Sequence, residues 1–115
     1  EDKQIEIKNF LTKNFSNRIE LSSSYSSFIE ITQKGISKVV PLKRIAAENG
    51  IKREEILAFG DGLNDLTMIE WAGRGVAMQN AHSELLEHSD DTAPENGDFG
   101  IARYLKQHFQ LDLKI

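Results

Sequence analysis

Apolar positions in the first third of the chain predict a helix followed by two strands. A loose helical repeat in a polar segment is formed by Ile5, Phe10, Leu11 and Phe15. It predicts an amphipathic helix that ends between residues 14 and 17. Residues 18–21 then alternate polar and apolar side chains, and residues 28–32 resume a β-rich run. These two runs predict a hairpin or an edge ribbon.

A serine-rich segment, residues 22–27, separates the two predicted strands. Such a segment is typical of a turn, and it is also compatible with a flexible linker. Low-complexity linkers seldom carry aromatic residues such as Tyr25 and the nearby Phe28. We therefore favour a hairpin, and we place a division of the chain near residues 33–35.

After that division, helical and strand signals alternate along the chain. Pro41 suits the first turn of a helix, and Gly50 supplies a left-handed stop. The apolar face of this helix is expected to consist of Leu42, Ile45 and Ala46. Residues 56–59 then form a continuous apolar run, which is typical of a strand covered on both faces.

A second helix and a second buried strand are predicted next. The helix spans about residues 64–72 and ends at Gly73. Its inward side chains are expected to be Leu66, Met68, Ile69 and Ala72. Residues 75–78 predict a short buried strand, and residues 83–88 a short helix.

The chain closes with a predicted polar loop and a helix. The loop covers residues 90–100 and the helix residues 101–109. This last helix is expected to pack through Ile101, Ala102, Leu105 and Phe109. Because strand and helix signals alternate from residue 34 onward, the sequence predicts an α/β fold with a parallel sheet and helical crossovers.

The candidate chemistry is concentrated in the sequence FGDGLND at residues 59–65. It directly follows a predicted buried strand, and open parallel sheets place their ligand crevices at the carboxyl ends of strands. Gly60 and Gly62 permit a sharp backbone turn. Asp61 and Asp65 offer hard oxygen ligands of the kind that Mg²⁺ selects. The helix that begins here also turns free N–H groups toward the crevice, which favours an anion such as phosphate.

Simpler interpretations of this loop compete with a metal site. An isolated Gly-Asp-Gly is a common turn, and Asn64 or Asp65 could serve only to cap a helix. The whole seven-residue string makes that interpretation less favourable. A calcium loop of the EF-hand type is excluded by spacing, because Leu63 and Ala72 occupy positions that require oxygen ligands.

Lys38 is the second candidate residue. It immediately precedes the helix that contains Pro41. A cation at that end opposes the helix dipole and costs a few tenths of a kcal/mol unless an anion shares the site. A lone lysine near a loop is usually solvated, so Lys38 gains its significance from the pattern around it.

Composition narrows the classes of function. The formal net charge is −4, from 14 basic and 18 acidic residues. A nucleic-acid partner is not expected, since it would require a basic face. The chain has no cysteine, which excludes disulfides, thiolate metal sites and a cysteine nucleophile. No signal peptide and no apolar run near the roughly 20 residues that span a bilayer are present, so we expect a cytoplasmic protein without a membrane partner.

Three segments in a fixed order carry a resemblance to a known family. The string KGISK at residues 34–38 precedes a predicted helix, and residues 56–65 and 73–81 follow. Together they resemble the haloacid dehalogenase (HAD) superfamily and, within it, the Cof-like phosphatases. The resemblance covers about residues 28–109 and keeps both order and spacing.

The resemblance implies a specific division of the fold. Residues 1–33 are similar to the C-terminal part of an α+β cap domain, and residues 34–115 to the second half of a Rossmann-like catalytic core. Val39 and Gln79 stand where the subfamily usually has glycine. Both substitutions bear on local backbone geometry, but neither removes a catalytic group.

The resemblance also implies roles for four residues and a cofactor. Lys38 resembles the lysine that binds the transferring phosphoryl group, and Asn64 the asparagine on the phosphate side of the site. Asp61 resembles the carboxylate that ligates Mg²⁺, and Asp65 a second acidic residue that supports the metal or Lys38. In that family, an aspartate attacks phosphorus and water then hydrolyses the aspartyl-phosphate.

The family's nucleophile lies in an Asp-x-Asp-x-Thr string, and this chain contains no such string. We therefore expect a C-terminal part of a phosphatase for small phosphorylated metabolites, sugar phosphates among them, that needs its missing N-terminal half. The chain alone is expected to be inactive, whether it is an isolated domain, a proteolytic remnant or a truncated reading frame.

Two alternative functions stay open at this point. Cation-pumping ATPases share Gly-Asp-Gly-x-Asn-Asp, but here Leu66 and Thr67 replace the expected small residue and proline. The other alternative is a non-catalytic phosphate- or magnesium-binding module that pairs with another polypeptide. An Asp-x-Asp-x-Thr string in the preceding reading frame would favour the enzyme.

The remaining polar and aromatic candidates are expected to play smaller roles. The histidines lack metal-ligand spacing and are expected to be solvated; they are His82, His88 and His108. Trp71 is expected to pack rather than to contact a ligand. Asn80 and Asn96 lie in loops at predicted strand ends, and the resemblance gives each a chance of a supporting role.

Overall fold

The computed structural model describes residues 2–22 and 28–114. Within this part of the chain, no helix is long and apolar enough to cross a membrane. Most of the serine-rich segment, including Tyr25, lies outside the described residues. The prediction of a turn rather than a linker there concerns these same residues.

The N-terminal part forms a helix and a two-stranded antiparallel sheet. Helix α1 spans Asp2–Phe15 and is followed by strands β1 (Ile19–Ser22) and β2 (Glu30–Gln33). In the antiparallel register, Ile19 lies opposite Gln33. The predicted helix and strand pair are therefore confirmed.

The C-terminal part alternates helices and parallel strands. In chain order its elements are α2 (Val39–Glu48), β3 (Leu57–Gly60), α3 (Leu66–Trp71), β4 (Arg74–Met78), α4 (Ser83–His88), β5 (Asp91–Ala93) and α5 (Gly100–Phe109). The strands form a parallel sheet in the order β3-β4-β5. Short 3-10 turns occupy Arg53–Glu55, Leu63–Asp65 and Asn96–Asp98. The predicted α/β fold is confirmed.

The core lies on both faces of this parallel sheet. On one face, Ile69 of α3 and Leu85 of α4 pack with Ala77 of β4. On the other, Tyr104 of α5 packs with Val76. Strand β4 is thus covered from both sides, which explains its nearly continuous apolar sequence.

The predicted polar loop of residues 90–100 is wrong in one respect, because it contains strand β5. Asp91 pairs with Val76 and Ala93 with Met78. The strand has only three residues, of which Asp91 is exposed and Ala93 is buried. A short edge strand with one inward side chain does not produce an apolar run that a sequence pattern could detect.

The predicted faces of two helices are partly wrong. In α5, Ile101 is 45% exposed and Phe109 is 55% exposed, whereas Tyr104 is buried. The buried face instead begins at Gly100, and one helical turn separates Gly100 from Tyr104. In α2, Ala46 is buried as predicted, but Ile45 is 55% exposed.

Candidate functional site

The site is built on the sharp turn between β3 and α3. Strand β3 ends at Gly60, and the 3-10 turn Leu63–Asp65 leads directly into α3. A Cβ atom on Gly60 would lie 2.6 Å from the Cβ of Asp65. Only glycine therefore lets the buried Asp65 side chain fold back against the end of the strand.

Asp65 is the buried polar centre of this turn, with only 4% of its surface exposed. Its Oδ2 accepts hydrogen bonds from the backbone N–H groups of Asp61, at 3.0 Å, and Gly62, at 3.2 Å. Its Oδ1 lies 2.5 Å from Nζ of Lys38. Both carboxylate oxygens are thus engaged, which offsets the cost of burying the charge.

Lys38 reaches this carboxylate from the start of α2, where it occupies the N-cap position. Its side chain is 51% exposed although its partner is buried. An ammonium group has three N–H donors, and Asp65 is the one acceptor that the described residues provide for them. The remaining donors are therefore available to an anion in the adjacent cleft.

Asp61 has a different environment, because it is exposed. Its backbone carbonyl accepts a hydrogen bond from the N–H of His82 at 3.0 Å. Its Oδ2 accepts one from Nδ2 of Asn96 at 3.1 Å. Within the described part of the chain, Oδ1 of Asp61 has no hydrogen-bond partner, so it is the carboxylate oxygen best placed to ligate a cation.

Asn96 is held in place by the segment that joins β5 to α5. It begins the 3-10 turn Asn96–Asp98, and a left-handed Phe99 with φ 54° follows. The N–H of Gly100 donates to the carbonyl of Glu95 at 3.2 Å. A Cβ on Gly100 would lie 1.8 Å from the carbonyl oxygen of Pro94, so this turn is too tight for any other residue.

Asn64 lies within the 3-10 turn Leu63–Asp65 and is half-buried. A Cβ on Gly62 would approach Oδ1 of Asn64 to 2.8 Å. Asn64 and Lys38 border a cleft of about 430 Å³ between the core and the antiparallel sheet. The cleft's lining includes Glu20, Glu30, Thr32, Lys38, Leu63 and Asn64.

The described residues do not supply a complete set of side-chain ligands for a divalent cation. These residues contain no group of three or more histidine, aspartate and glutamate side chains that could hold a metal ion. The exposed carboxylate of Asp61 fits Mg²⁺ chemically, since magnesium prefers hard oxygen ligands and keeps several waters. Asp65 is instead bonded to Lys38 and to two backbone N–H groups.

His82 contacts the loop through its backbone, whose N–H donates to the carbonyl of Asp61. Within the described residues, no hydrogen bond joins the side chains of His82, His88, His108 or Trp71 to the carboxylates of Asp61 and Asp65. Nδ1 of His82 accepts a hydrogen bond from the N–H of Glu84 at 3.2 Å, which caps α4. His108 stacks on Tyr104 with ring centroids 5.6 Å apart. Nζ of Lys43 lies 5.7 Å from the centroid of the Trp71 ring. Trp71 thus makes a packing contact, as its sequence position predicted.

A second polar cluster lies at the amino-terminal ends of strands β4 and β5, opposite to the candidate site. Tyr104 donates a hydrogen bond to Oδ2 of Asp91 at 3.0 Å, and Arg74 lies 3.7 Å from the same oxygen. The backbone N–H of Thr92 and the Tyr104 hydroxyl lower the pKa of Asp91. Burial is the main cause that raises the pKa of Tyr104. Since Arg74 and Asp91 begin their strands, this cluster fastens α5 to the sheet, away from the candidate site.

Comparison with known proteins identifies relatives of this arrangement. The model of the haloacid dehalogenase-like hydrolase family matches residues 1–105. A 5-amino-6-(5-phospho-D-ribitylamino)uracil phosphatase of Bacillus subtilis is 45% identical over 83 residues, which are 72% of this chain and 31% of that protein. A putative phosphatase of Haemophilus influenzae is 32% identical over 91% of this chain and 40% of its own length.

Solved structures agree with these matches. A haloacid dehalogenase-like hydrolase from Bacteroides thetaiotaomicron aligns with a TM-score of 0.82 and 34% identity, covering 94% of this chain and 41% of that one. A HAD subclass IIB sugar phosphatase aligns with a TM-score of 0.80 and 29% identity, and the alignment covers 92% of this chain and 40% of that one. The chain thus spans between a third and a half of the length of most such relatives. By sequence and by fold, it belongs to the haloacid dehalogenase-like hydrolase family.

Proposed function

We propose that the chain is the C-terminal part of a Mg²⁺-dependent phosphatase that hydrolyses small phosphorylated metabolites, including sugar phosphates, in the cytoplasm. The longer protein is called the parent protein below. The observation that carries the proposal is the pairing of Lys38 with the buried Asp65, next to the exposed carboxylate of Asp61. This arrangement presents the Lys38 ammonium and the exposed Asp61 carboxylate at the carboxyl end of a parallel strand.

Lys38 is the residue proposed to bind the phosphoryl group. Asp65 fixes the position of the ammonium without enclosing it, because half of the Lys38 side chain is exposed. Positive charge that is fixed in advance stabilises the phosphoryl oxygens in the transition state more than mobile charge does. Asn64, on the same cleft, is proposed to donate a hydrogen bond to a phosphate oxygen.

Asp61 is proposed to hold Mg²⁺ through its Oδ1, while Asn96 keeps its Oδ2 in a hydrogen bond. Bound magnesium would supply further positive charge next to the phosphate. Asp65 was expected to share in ligation. Its contact with Lys38 supports the other role implied by the resemblance, that of supporting Lys38, and its two backbone hydrogen bonds also hold the loop.

The nucleophile is proposed to be an aspartate in the N-terminal half of the parent protein. Its carboxylate oxygen would bond to phosphorus as the bond to the ester oxygen breaks, and the leaving alkoxide would take a proton. Water would then cleave the acyl phosphate and release inorganic phosphate, which regenerates the carboxylate. Lys38 would offset the charge on the phosphoryl oxygens in both steps.

The test is phosphate release by the purified parent protein. Hydrolysis of p-nitrophenyl phosphate and of hexose 6-phosphates should require Mg²⁺ and should stop when EDTA is added. The chain alone should release no phosphate above background. Release by the chain that survives repurification and is abolished by Asp61→Ala would contradict the division of the site, and an inactive parent protein would favour a non-catalytic binding module.

A further inference from the structure

The cleft next to Lys38 has two chemically different walls. Lys38 and Asn64 stand on the core side, and Glu20, Leu21, Glu30 and Thr32 of the antiparallel sheet form the other side. In the register of this sheet, Glu20 lies opposite Thr32. Paired residues project to the same face, and so do residues two apart on one strand, which places Glu30 on the face of Thr32.

Two carboxylates therefore border the cleft on the side away from the phosphate-binding lysine. Glu20 is exposed and Glu30 is half-buried. Oε1 of Glu20 lies 3.5 Å from the N–H of Gly35, which links its side chain to the segment that leads toward Lys38. Among the described residues that line this cleft, Lys38 is the basic one, and its ammonium is paired with Asp65.

We propose that Glu20 and Glu30 select the leaving group of the substrate, a proposal that rests on the phosphatase function proposed above. With the phosphate at Lys38, the rest of a small ester would extend along the cleft toward the two carboxylates. Carboxylates accept hydrogen bonds from hydroxyl and ammonium groups, and they repel a second anionic group. The cleft thus favours cationic and polyhydroxyl leaving groups over those that carry a carboxylate or another phosphate.

Three phosphate esters of similar size, each with its phosphate on the same carbon, separate the attraction of an ammonium group from the repulsion of a second anionic group. Glucosamine 6-phosphate carries an ammonium, glucose 6-phosphate is neutral beyond its phosphate, and 6-phosphogluconate carries a carboxylate. In the Mg²⁺-loaded parent protein, kcat/KM should fall in that order, by about tenfold between the first and the last. The double variant Glu20→Gln/Glu30→Gln should compress this spread to about twofold.

The control variant is Glu87→Gln, which removes an exposed carboxylate of α4 outside the cleft and should leave the spread unchanged. A parent protein that hydrolyses all three esters equally, or whose order of preference survives the double variant, would overturn the inference but leave the phosphatase function intact. Failure to hydrolyse any ester, including p-nitrophenyl phosphate, would overturn both. If the double variant lost activity toward all three esters equally, the two glutamates would be structural and the inference would again be wrong.

Discussion

Nζ of Lys38 lies 2.5 Å from Oδ1 of Asp65, and the two residues are 27 positions apart in the chain. The contact joins the start of α2 to the turn that follows β3. Because the same carboxylate accepts two backbone hydrogen bonds within its own turn, one buried side chain fixes both the loop and the lysine. Its loss should therefore affect stability as well as activity.

The first prediction is that Asp65→Asn lowers both the stability and the catalytic activity of the parent protein. The free energy of unfolding should fall by about 1–3 kcal/mol, because a buried charged acceptor is lost and Lys38 is left without its partner. Urea unfolding and kcat measured on the same preparation test this. Asp98→Asn is the matched control, since it removes an exposed carboxylate paired with Arg103 at 3.1 Å and should cost less than about 1 kcal/mol. Equal losses for the two variants would contradict the role given to Asp65.

Gly60→Ala provides the second prediction. The added Cβ would lie 2.6 Å from the Cβ of Asp65, so the carboxylate would have to move away from Lys38. We expect kcat to fall by about a hundredfold, as displacements of about 1 Å can cause in active sites. Gly97→Ala meets no atom within 4 Å and should leave kcat nearly unchanged. Normal activity of Gly60→Ala would mean that the turn tolerates a shift of Asp65.

A third prediction separates two asparagines that the sequence alone did not distinguish. Asn96 donates a hydrogen bond to Asp61, whereas the side chain of Asn80 makes no hydrogen bond within the described part of the chain. Asn96→Ala should weaken Mg²⁺ binding by the parent protein about tenfold, since partners of metal ligands commonly contribute that much. Asn80→Ala should change it less than twofold. The magnesium dependence of phosphate release measures both, and identical effects would remove Asn96 from the site.

The fourth prediction concerns pH and His88. The backbone carbonyl of Glu84, 2.8 Å from Nδ1, and the carboxylate of Glu70, 3.9 Å from Nε2, raise the pKa of His88 above its usual 6.5. A raised pKa in the folded state stabilises the protein below the unfolded pKa, and this contribution disappears as pH rises through the folded value. NMR titration of the ring should show the raised pKa, and Glu70→Gln should reduce the shift in part.

The raised pKa of His88 also predicts how its contribution to stability depends on pH. Replacing His88 with glutamine should lower the melting temperature at pH 5.5 relative to the unaltered protein, and the difference should vanish by pH 9. A difference that grows as pH rises would show that the neutral ring is the stabilising form.

The sequence predicted those parts of the fold that have strong periodic signals. Residues 56–59 and 75–78 are apolar because their strands are covered on both faces, and Gly50 has the left-handed φ of 65° that its position at the end of α2 suggested. Strand β5 escaped prediction because its three residues include only one buried side chain, Ala93. Patterns of this kind detect burial, and a short edge strand has little.

At the candidate site, the sequence likewise revealed local strings of residues but not contacts between distant ones. The loop around Asp61 was recognisable because glycines and carboxylates follow a buried strand within a few residues. The contact of Asp61 with Asn96 joins residues 35 positions apart, and no local pattern encodes such a contact. The residues that line the cleft likewise come from the antiparallel sheet, from the start of α2 and from the turn that leads into α3, so only the folded chain brings Glu20 near Lys38.

The central claim is that Asp61 in this loop is the magnesium ligand of a divided phosphatase site. Calorimetric titration of Mg²⁺ into the chain, the parent protein and their Asp61→Asn variants tests it most directly. The chain should bind at millimolar concentrations at best, because Asp61 alone cannot supply the further carboxylate ligands that a near-octahedral magnesium site needs, and Asp65 is already paired with Lys38. The parent protein should bind more tightly, and Asp61→Asn should abolish binding in both. Micromolar binding to the chain alone, unchanged by Asp61→Asn, would place the metal elsewhere and contradict the account.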